Sequence, residues 1–227
     1  MPINNYAGDT FVAFIDISGF KELMRDEKKA WKALDRLYQY GYEILRNENN
    51  IYRVEGLFIS DSGVLFVRRN NQTMINTSES LKSLLKMIKK INEEMRENDI
   101  MLTTSIAYGR FKYQERIEFD GIEKNPIYGD AYISAFLDVE NGRPRIQPGQ
   151  CRIVKKNLPR DVVETLERNQ PNDIFKMIRK RDGDNEHYYY YWMVNDPHKI
   201  ERFEQNYKDA YNLKYAGMLK ALKGDRH

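Results

Sequence analysis

The sequence predicts an α+β fold, and three observations carry that expectation. Two apolar runs of strand length, Phe11-Val-Ala-Phe-Ile15 and the pair Gly56-Leu-Phe-Ile59 and Gly63-Val-Leu-Phe-Val67, are rich in β-branched and aromatic residues. Two longer stretches place their apolar residues at three- and four-residue steps, as amphipathic helices do. The resulting order is strand, helix, two strands, helix, strand, strand, helix, strand.

The first strand follows a polar lead-in over residues 1–10 and ends at Asp16, with Ser18-Gly19 directly after it. A helix is expected from Phe20 to about Asn47, since Leu23, Ala30, Leu34, Leu37, Tyr38, Tyr42 and Leu45 share a stripe. Residues 51–60 and 63–68 read as a hairpin turning at Ser60-Asp61-Ser62-Gly63. Leu81, Leu84, Leu85, Ile88, Ile91 and Met95 line the second helix, whose other face is basic. Residues 101–111 read as a strand running into a glycine, with another strand over 112–119. Tyr128-Gly129-Asp130 opens a helix to about Glu140. Pro144-Arg145-Ile146 and Cys151–Val154 read as strand, 159–168 as a short helix with Pro159 in its first turn, and Tyr188–Met193 as an aromatic strand. Residues 197–222 form a closing helix striped by Phe203, Tyr207, Tyr211, Tyr215, Leu219 and Leu222. This order contains the β-α-β-β-α-β core of a ferredoxin-like fold with additions. Residues 1–195 make one domain, and 196–227 a C-terminal helix packed on it.

Composition narrows the function classes. Of 227 residues, 41% are hydrophobic and 31% charged, as in ordinary globular proteins. A net charge of +3 leaves no broad polyanion footprint, so nucleic acid is not an expected partner. Cys151 is the single cysteine, which excludes an intrachain disulfide and a thiolate-rich zinc site. No signal peptide or apolar stretch of membrane-span length is present, so a cytoplasmic protein without a membrane partner is expected. None of His187, His198 and His227 pairs with another at helical spacing, so a bound metal would be held by carboxylates, which suits Mg²⁺ or Mn²⁺.

Asp16 and Asp61 are the candidate chemical centre. Each follows an uncharged strand and precedes Ser and Gly. A carboxylate at the end of a buried strand is costly unless a cation or partner compensates it. Two on neighbouring strands can hold a pair of divalent cations about 4 Å apart. An aspartate at a strand end or turn is also an ordinary cap or turn residue. Ser18, Gly19 and Phe20, opening onto a helix, present backbone N–H groups suited to phosphate oxygens.

These residues resemble the catalytic domain of class III nucleotidyl cyclases. Phe14-Ile15-Asp16-Ile17-Ser18-Gly19-Phe20 matches the first metal motif, Phe-x-Asp-Ile-x-Gly-Phe, and Asp61 matches the second metal aspartate. Phe58-Ile59-Ser60-Asp61-Ser62 is similar to the form in bacterial pyrimidine cyclases of the Pycsar anti-phage systems. Ser105–Gly109, Tyr128-Gly129-Asp130-Ala131 with Ala135-Phe136, Pro144-Arg145-Ile146 and Asp182-Gly183-Asp184 resemble their later motifs in order.

The resemblance implies attack of a ribose 3′-hydroxyl on the α-phosphate of the same nucleoside triphosphate. The products are a 3′,5′-cyclic monophosphate and pyrophosphate. Asp16, Asp61 and the Ile17 carbonyl would hold two divalent cations, Mn²⁺ or Mg²⁺. It further implies a homodimer with its sites at the subunit interface and a downstream effector that responds to the cyclic nucleotide. The family's helix Asn and Arg fall at Ile133 and Leu137, and its purine-reading Lys at Leu57. Loss of that Lys points to a pyrimidine, with UTP favoured over CTP. Phe58, Ser60, Asn141, Arg143 and Arg110 are the residues left to serve base and ribose. A cyclase fold that binds nucleotide without turnover is the alternative.

Overall fold

β1 (Tyr6–Ile17) runs through the middle of a mixed sheet and sets the geometry of everything around it. The computed structural model describes residues 4–46, 52–68, 76–114, 117–119, 122–124, 126–168 and 174–206, with 117–119 and 122–124 described by backbone alone. After β1 come α1 (Phe20–Leu23), α2 (Glu27–Arg46), β2 (Arg53–Ile59), β3 (Ser62–Arg68), α3 (Thr77–Glu97) and β4 (Leu102–Tyr113). Then follow β5 (Ile117–Phe119), β6 (Ile122–Lys124), β7 (Ile127–Tyr128), α4 (Asp130–Asn141), β8 (Cys151–Val154), α5 (Arg160–Glu167), β9 (Ile178–Arg181) and β10 (Asp184–Tyr190).

The main sheet has the order β2-β3-β1-β4-β8-β10-β9, with β7 paired to β4. Its first four strands are antiparallel throughout, and β1, β2, β3 and β4 stand in the 2-3-1-4 order of the ferredoxin-like core. The β4–β8 pair is parallel, joining Thr104 to Cys151 and Ile106 to Ile153.

Alternation along β1 divides the core. Phe11, Ala13, Ile15 and Ile17 face the larger cluster beneath α1, α2 and α3. Val12 and Phe14 face a smaller one with Val64, Phe66, Phe111, Ala131 and Ala135 beneath α4. The six apolar residues expected along α3 are all fully buried, and Asn76 caps the helix by accepting from the Glu79 N–H at 3.1 Å.

Several boundaries differ from the sequence expectation. β1 starts at Tyr6, because residues 6–10 continue the pairing with β4 out to Tyr113. The helix expected from Phe20 is two helices. Asp26 restarts the chain by accepting from the Lys29 N–H at 3.2 Å. Pro144-Arg145-Ile146 is loop rather than strand, with the Pro144 carbonyl taken by the Arg152 side chain. β10 ends at Tyr190 instead of continuing through Met193, and β9, not anticipated, pairs with it across Asp182-Gly183. β4 runs to Tyr113, and among the described residues β5 pairs only with β6. The closing helix is seen over residues 200–206. Its Tyr207, Tyr211, Tyr215, Leu219 and Leu222 lie outside the described residues, so a 196–227 unit is not described as a whole.

Candidate active site

The antiparallel pairing of β1 with β3 brings the two carboxylates together. Asp16 pairs across the strands with Ser62, so the β2–β3 turn carrying Asp61 lies against the end of β1. The Ile17 N–H donates to the Asp61 carbonyl at 2.9 Å, and the Ser62 hydroxyl donates to Asp16 Oδ1 at 3.0 Å. Alternation places the Asp16 side chain on the α4 side of the sheet. Burial pushes the Asp16 carboxyl up to about 6 against the Ser62 hydrogen bond, and the Asp61 and Glu140 charges add to the rise. Glu140, at the end of α4, is a neighbour that the sequence alone did not flag.

The turn itself is braced from α2. Ser60 has a left-handed φ of 55°, unusual for a residue with a side chain. The Phe58 N–H donates to the Tyr42 hydroxyl at 3.4 Å, and Tyr38 hydrogen-bonds the Ser60 backbone. Phe58, expected in the base pocket, is instead 7% exposed. A Cβ on Gly41 or Gly63 would lie 2.2 or 2.7 Å from its ring, so the ring fills the space both glycines leave. It is a core residue because its strand position faces α2.

Ser18, Gly19 and Phe20 make a tight exit from β1. The Ser18 N–H is committed to the Met101 carbonyl at 2.9 Å, and Gly19 takes φ 74°, which glycine adopts without strain. The Phe20 side chain is buried in the core, so only its backbone is left for a ligand. The Ser18 hydroxyl, two residues beyond Asp16, is buried and has no hydrogen-bond partner among the described residues. Buried hydroxyls are normally partnered. This one is suited to a ligand oxygen or water at the carboxylates.

Asn141 is the last residue of α4 and Arg143 lies just beyond it, both exposed. Arg110 is elsewhere. It pairs with Asp9 on β1, seven residues from Asp16, or about 23 Å within one chain. Its side chain is bound to Asp130 at 2.9 Å. Ile133 and Leu137 are 50% and 46% exposed on α4. A separate cavity lined by Cys151, Arg181, Tyr189, Tyr191, Trp192 and Phe203 contains neither carboxylate.

Among the described residues, no group of three or more His, Cys, Asp or Glu side chains stands together as a metal site. Asp16, Asp61 and the adjoining Ile17 carbonyl are the oxygens that could hold a metal ion here. Mg²⁺-type ions fit such a set, because they take one or two carboxylates and complete their shell with water and substrate phosphates.

The sequence reading missed a buried polar cluster behind α4. Asp138 accepts from Ser105 Oγ at 2.6 Å and from Arg152 Nε and Nη2 at 2.7 Å each, and it contacts His187 Nε2 at 2.9 Å. His187 Nδ1 contacts Asp184, which also accepts from the Tyr189 hydroxyl at 2.5 Å. One signal was available: Arg152 interrupts the otherwise apolar run Cys151–Val154.

No family model and no curated protein matches the sequence. Solved structures do match the fold. The guanylyl cyclase domain of the RhoGC fusion protein from the aquatic fungus Blastocladiella emersonii is 14% identical, with a TM-score of 0.57 over 83% of this chain and 96% of that one. The guanylate cyclase domain of RhGC from Catenaria anguillulae, solved with GTP, is 14% identical, with a TM-score of 0.54 over 82% of this chain and 97% of that one. A bacterial light-regulated adenylyl cyclase is 12% identical, with a TM-score of 0.57 over 84% of this chain and 54% of that one. The chain thus has the α+β fold of nucleotidyl cyclase catalytic domains.

Proposed function

We propose that this chain is a nucleotidyl cyclase that converts a pyrimidine nucleoside triphosphate, UTP in preference to CTP, to its 3′,5′-cyclic monophosphate and pyrophosphate. The observation that carries the reading is the junction of Asp16 and Asp61, locked by the Ile17–Asp61 and Ser62–Asp16 hydrogen bonds beside the orphan Ser18 hydroxyl. Two bound Mn²⁺ or Mg²⁺ ions would supply a more acidic 3′-hydroxyl and neutralise charge on the triphosphate and leaving pyrophosphate.

The chain's own residues hold and aim. Asp16 and Asp61, with the Ile17 carbonyl, would hold that pair of ions. Burial makes Asp16 a carboxylate that a cation readily ionises. Ser62 fixes the orientation of its carboxylate, and Tyr38 and Tyr42 fix the turn that aims Asp61. Ser18, Gly19 and Phe20 receive the triphosphate through the Ser18 hydroxyl and the remaining N–H groups. Ser60 and Asn141 are the polar groups left for base and ribose, and Leu57 in place of a lysine favours the smaller base. The exposed Ile133 and Leu137 suit the interface of a homodimer with sites shared between subunits. The product would act as a second messenger in anti-phage defence through a separate effector.

Incubation with each of the four nucleoside triphosphates and Mn²⁺ tests this reading, with cUMP expected as the main product. A folded sample that yields no cyclic nucleotide overturns it. The apolar Ile133 and Leu137 also favour a second reading, a sensor that binds nucleotide without turnover. Calorimetric binding without pyrophosphate release would select it.

A further inference from the structure

The buried cluster behind α4 is charged, fully hydrogen-bonded and unused by the chemistry above. Arg152 is 0% exposed, Asp138 7%, Asp184 5% and His187 2%. An ion pair at such depth is a poor device for stability alone, since desolvation offsets much of its attraction. A geometric device is the better account, and the contacts show which geometry it controls.

The contacts of Asp138 and Arg152 converge on the end of α4 and the turn after it. Asp138 sits in the last turn of the helix and is tied to β4 through Ser105, to β8 through Arg152 and to β10 through His187. Arg152 spends its remaining donors on the same turn, giving Nη2 to the Asp138 carbonyl at 2.9 Å and Nη1 to the Pro144 carbonyl at 2.5 Å. Gly142 completes the fit. A Cβ there would lie 2.2 Å from Arg152 Nη2 and 2.3 Å from Asp138 Oδ1. Only a residue without a side chain lets the turn close over the guanidinium.

The segment beyond that turn reaches the candidate site's end of the sheet: the Gly149 N–H donates to the Leu102 carbonyl at 2.8 Å, and Leu102 is paired with Ile17. Phe136, one turn of α4 before Glu140, meets at 5.3 Å the ring of Phe14, which shares its face of β1 with Asp16, and Arg143 and Arg145 follow Glu140 within five residues, both exposed. Neither arginine has a salt bridge among the described residues, while Arg25, Arg53, Arg68, Arg110, Arg160 and Arg168 do. Guanidiniums without an ion pair among the described residues, on a braced turn at the same end of the sheet as the carboxylate pair, are suited to a polyphosphate, which they can bind bidentately.

We propose that Arg152 is a positioning residue that holds the Asn141–Arg145 turn, so that Arg143 and Arg145 form a triphosphate-binding pair at the edge of the carboxylate site. The inference rests on the nucleoside triphosphate reading, but its tests do not need turnover.

The first test uses the exposed double variant Arg143→Ala/Arg145→Ala, whose substitutions lie outside the core. Calorimetry with inorganic tripolyphosphate and Mg²⁺ should show affinity reduced about tenfold or more, and the KM for nucleotide should rise by a similar factor with kcat changed less. Unchanged affinity overturns the proposal even if the wild type cyclises nucleotide. Reduced affinity in a wild type that makes no cyclic product upholds it and removes the cyclase reading instead. The second test uses Asp138→Leu/Arg152→Met, which removes the buried charges as a pair. Amide exchange should accelerate over residues 139–146 while α3 and β1 stay protected, and tripolyphosphate affinity should fall as in the first variant. Exchange that rises throughout the chain, or a turn that stays protected, overturns the positioning role. Arg152→Lys keeps the charge without the fork and should fall between wild type and the double variant.

Discussion

Replacing Asp16 with asparagine should stabilise the metal-free protein while destroying its proposed activity. Burial, with the Asp61 and Glu140 charges, raises the Asp16 pKa from 3.8 to about 6. A raised carboxyl pKa means that the folded state prefers the protonated form. Its contribution to stability is present below the unfolded value and is lost as pH rises through about 6. A shift of roughly two units at 1.36 kcal/mol per unit gives about 3 kcal/mol. Partial solvent access at the half-buried side chain reduces this to about 1.5–3 kcal/mol. The asparagine side chain would keep the size and an oxygen to accept from Ser62 but would never ionise. In chelator at about pH 8, the Asp16→Asn variant should therefore melt roughly 3–10 °C above wild type. The gap should narrow by only about half at pH 5 and should close below the unfolded value of 3.8, where Asp16 is protonated in both states. Adding Mn²⁺ should raise the melting temperature of wild type and leave the variant unchanged. A variant as stable as wild type at both pH values would refute the desolvation argument. Equal stabilisation of both proteins by Mn²⁺ would refute the metal assignment.

Three further outcomes follow from the same geometry. Asp61→Ala should lower turnover by about two orders of magnitude or more while gel filtration shows the oligomeric state of wild type; retained turnover would remove Asp61 from the site. Phe58→Ala should cost about 3–5 kcal/mol in denaturant titration, because it empties the space between Gly41 and Gly63. Should that variant instead be stable with an altered nucleotide preference, Phe58 belongs to the base pocket after all. Around His187, burial acts against its charged form, but Asp138 and Asp184 outweigh it and the pKa is raised. Asp138 and Asp184 are lowered because their hydrogen bonds outweigh burial. Stability should therefore fall as pH rises through the raised histidine pKa, and fall again in acid as the two aspartates protonate. His187→Gln should flatten the alkaline limb in a denaturant series across pH; an unchanged limb would show that the imidazole carries no charge there.

The half of the molecule around β1 was legible in the sequence, because its signals are local. Apolar runs, helical stripes and the Asp-Ile-Ser-Gly exit each reside within a few residues. What lies on which face of the sheet was not legible. Phe58 reads equally well as a pocket wall or a core ring until α2 is laid across β2. Arg110, Arg143 and Asn141 could not be ranked, because their distances from Asp16 depend on the β1–β4 register and the path of α4. The Asp138–Arg152–His187–Asp184 cluster draws on three elements, with Asp138 and His187 separated by 49 residues, and no short window contains it. The break between α1 and α2 was missed because Asp26 restarts the helix without disturbing the apolar stripe.

The parallel junction between β4 and β8 has a consequence for where the chain tolerates extra sequence. Parallel neighbours cannot be joined by a hairpin and require a crossover, and here α4 lies within that crossover. The segment from Gly142 to Gln150 closes it onto β8, with Gly142 seated on Arg152 and the Gln150 carbonyl bonded to the Thr104 N–H at 2.9 Å. A residue added there would offset β8 from β4 and unseat the helix end together. Among the described residues the β5–β6 ribbon pairs only with itself. A reporter or affinity tag spliced between residues 119 and 122 would leave the sheet order intact, whereas the same insertion between 142 and 150 would not.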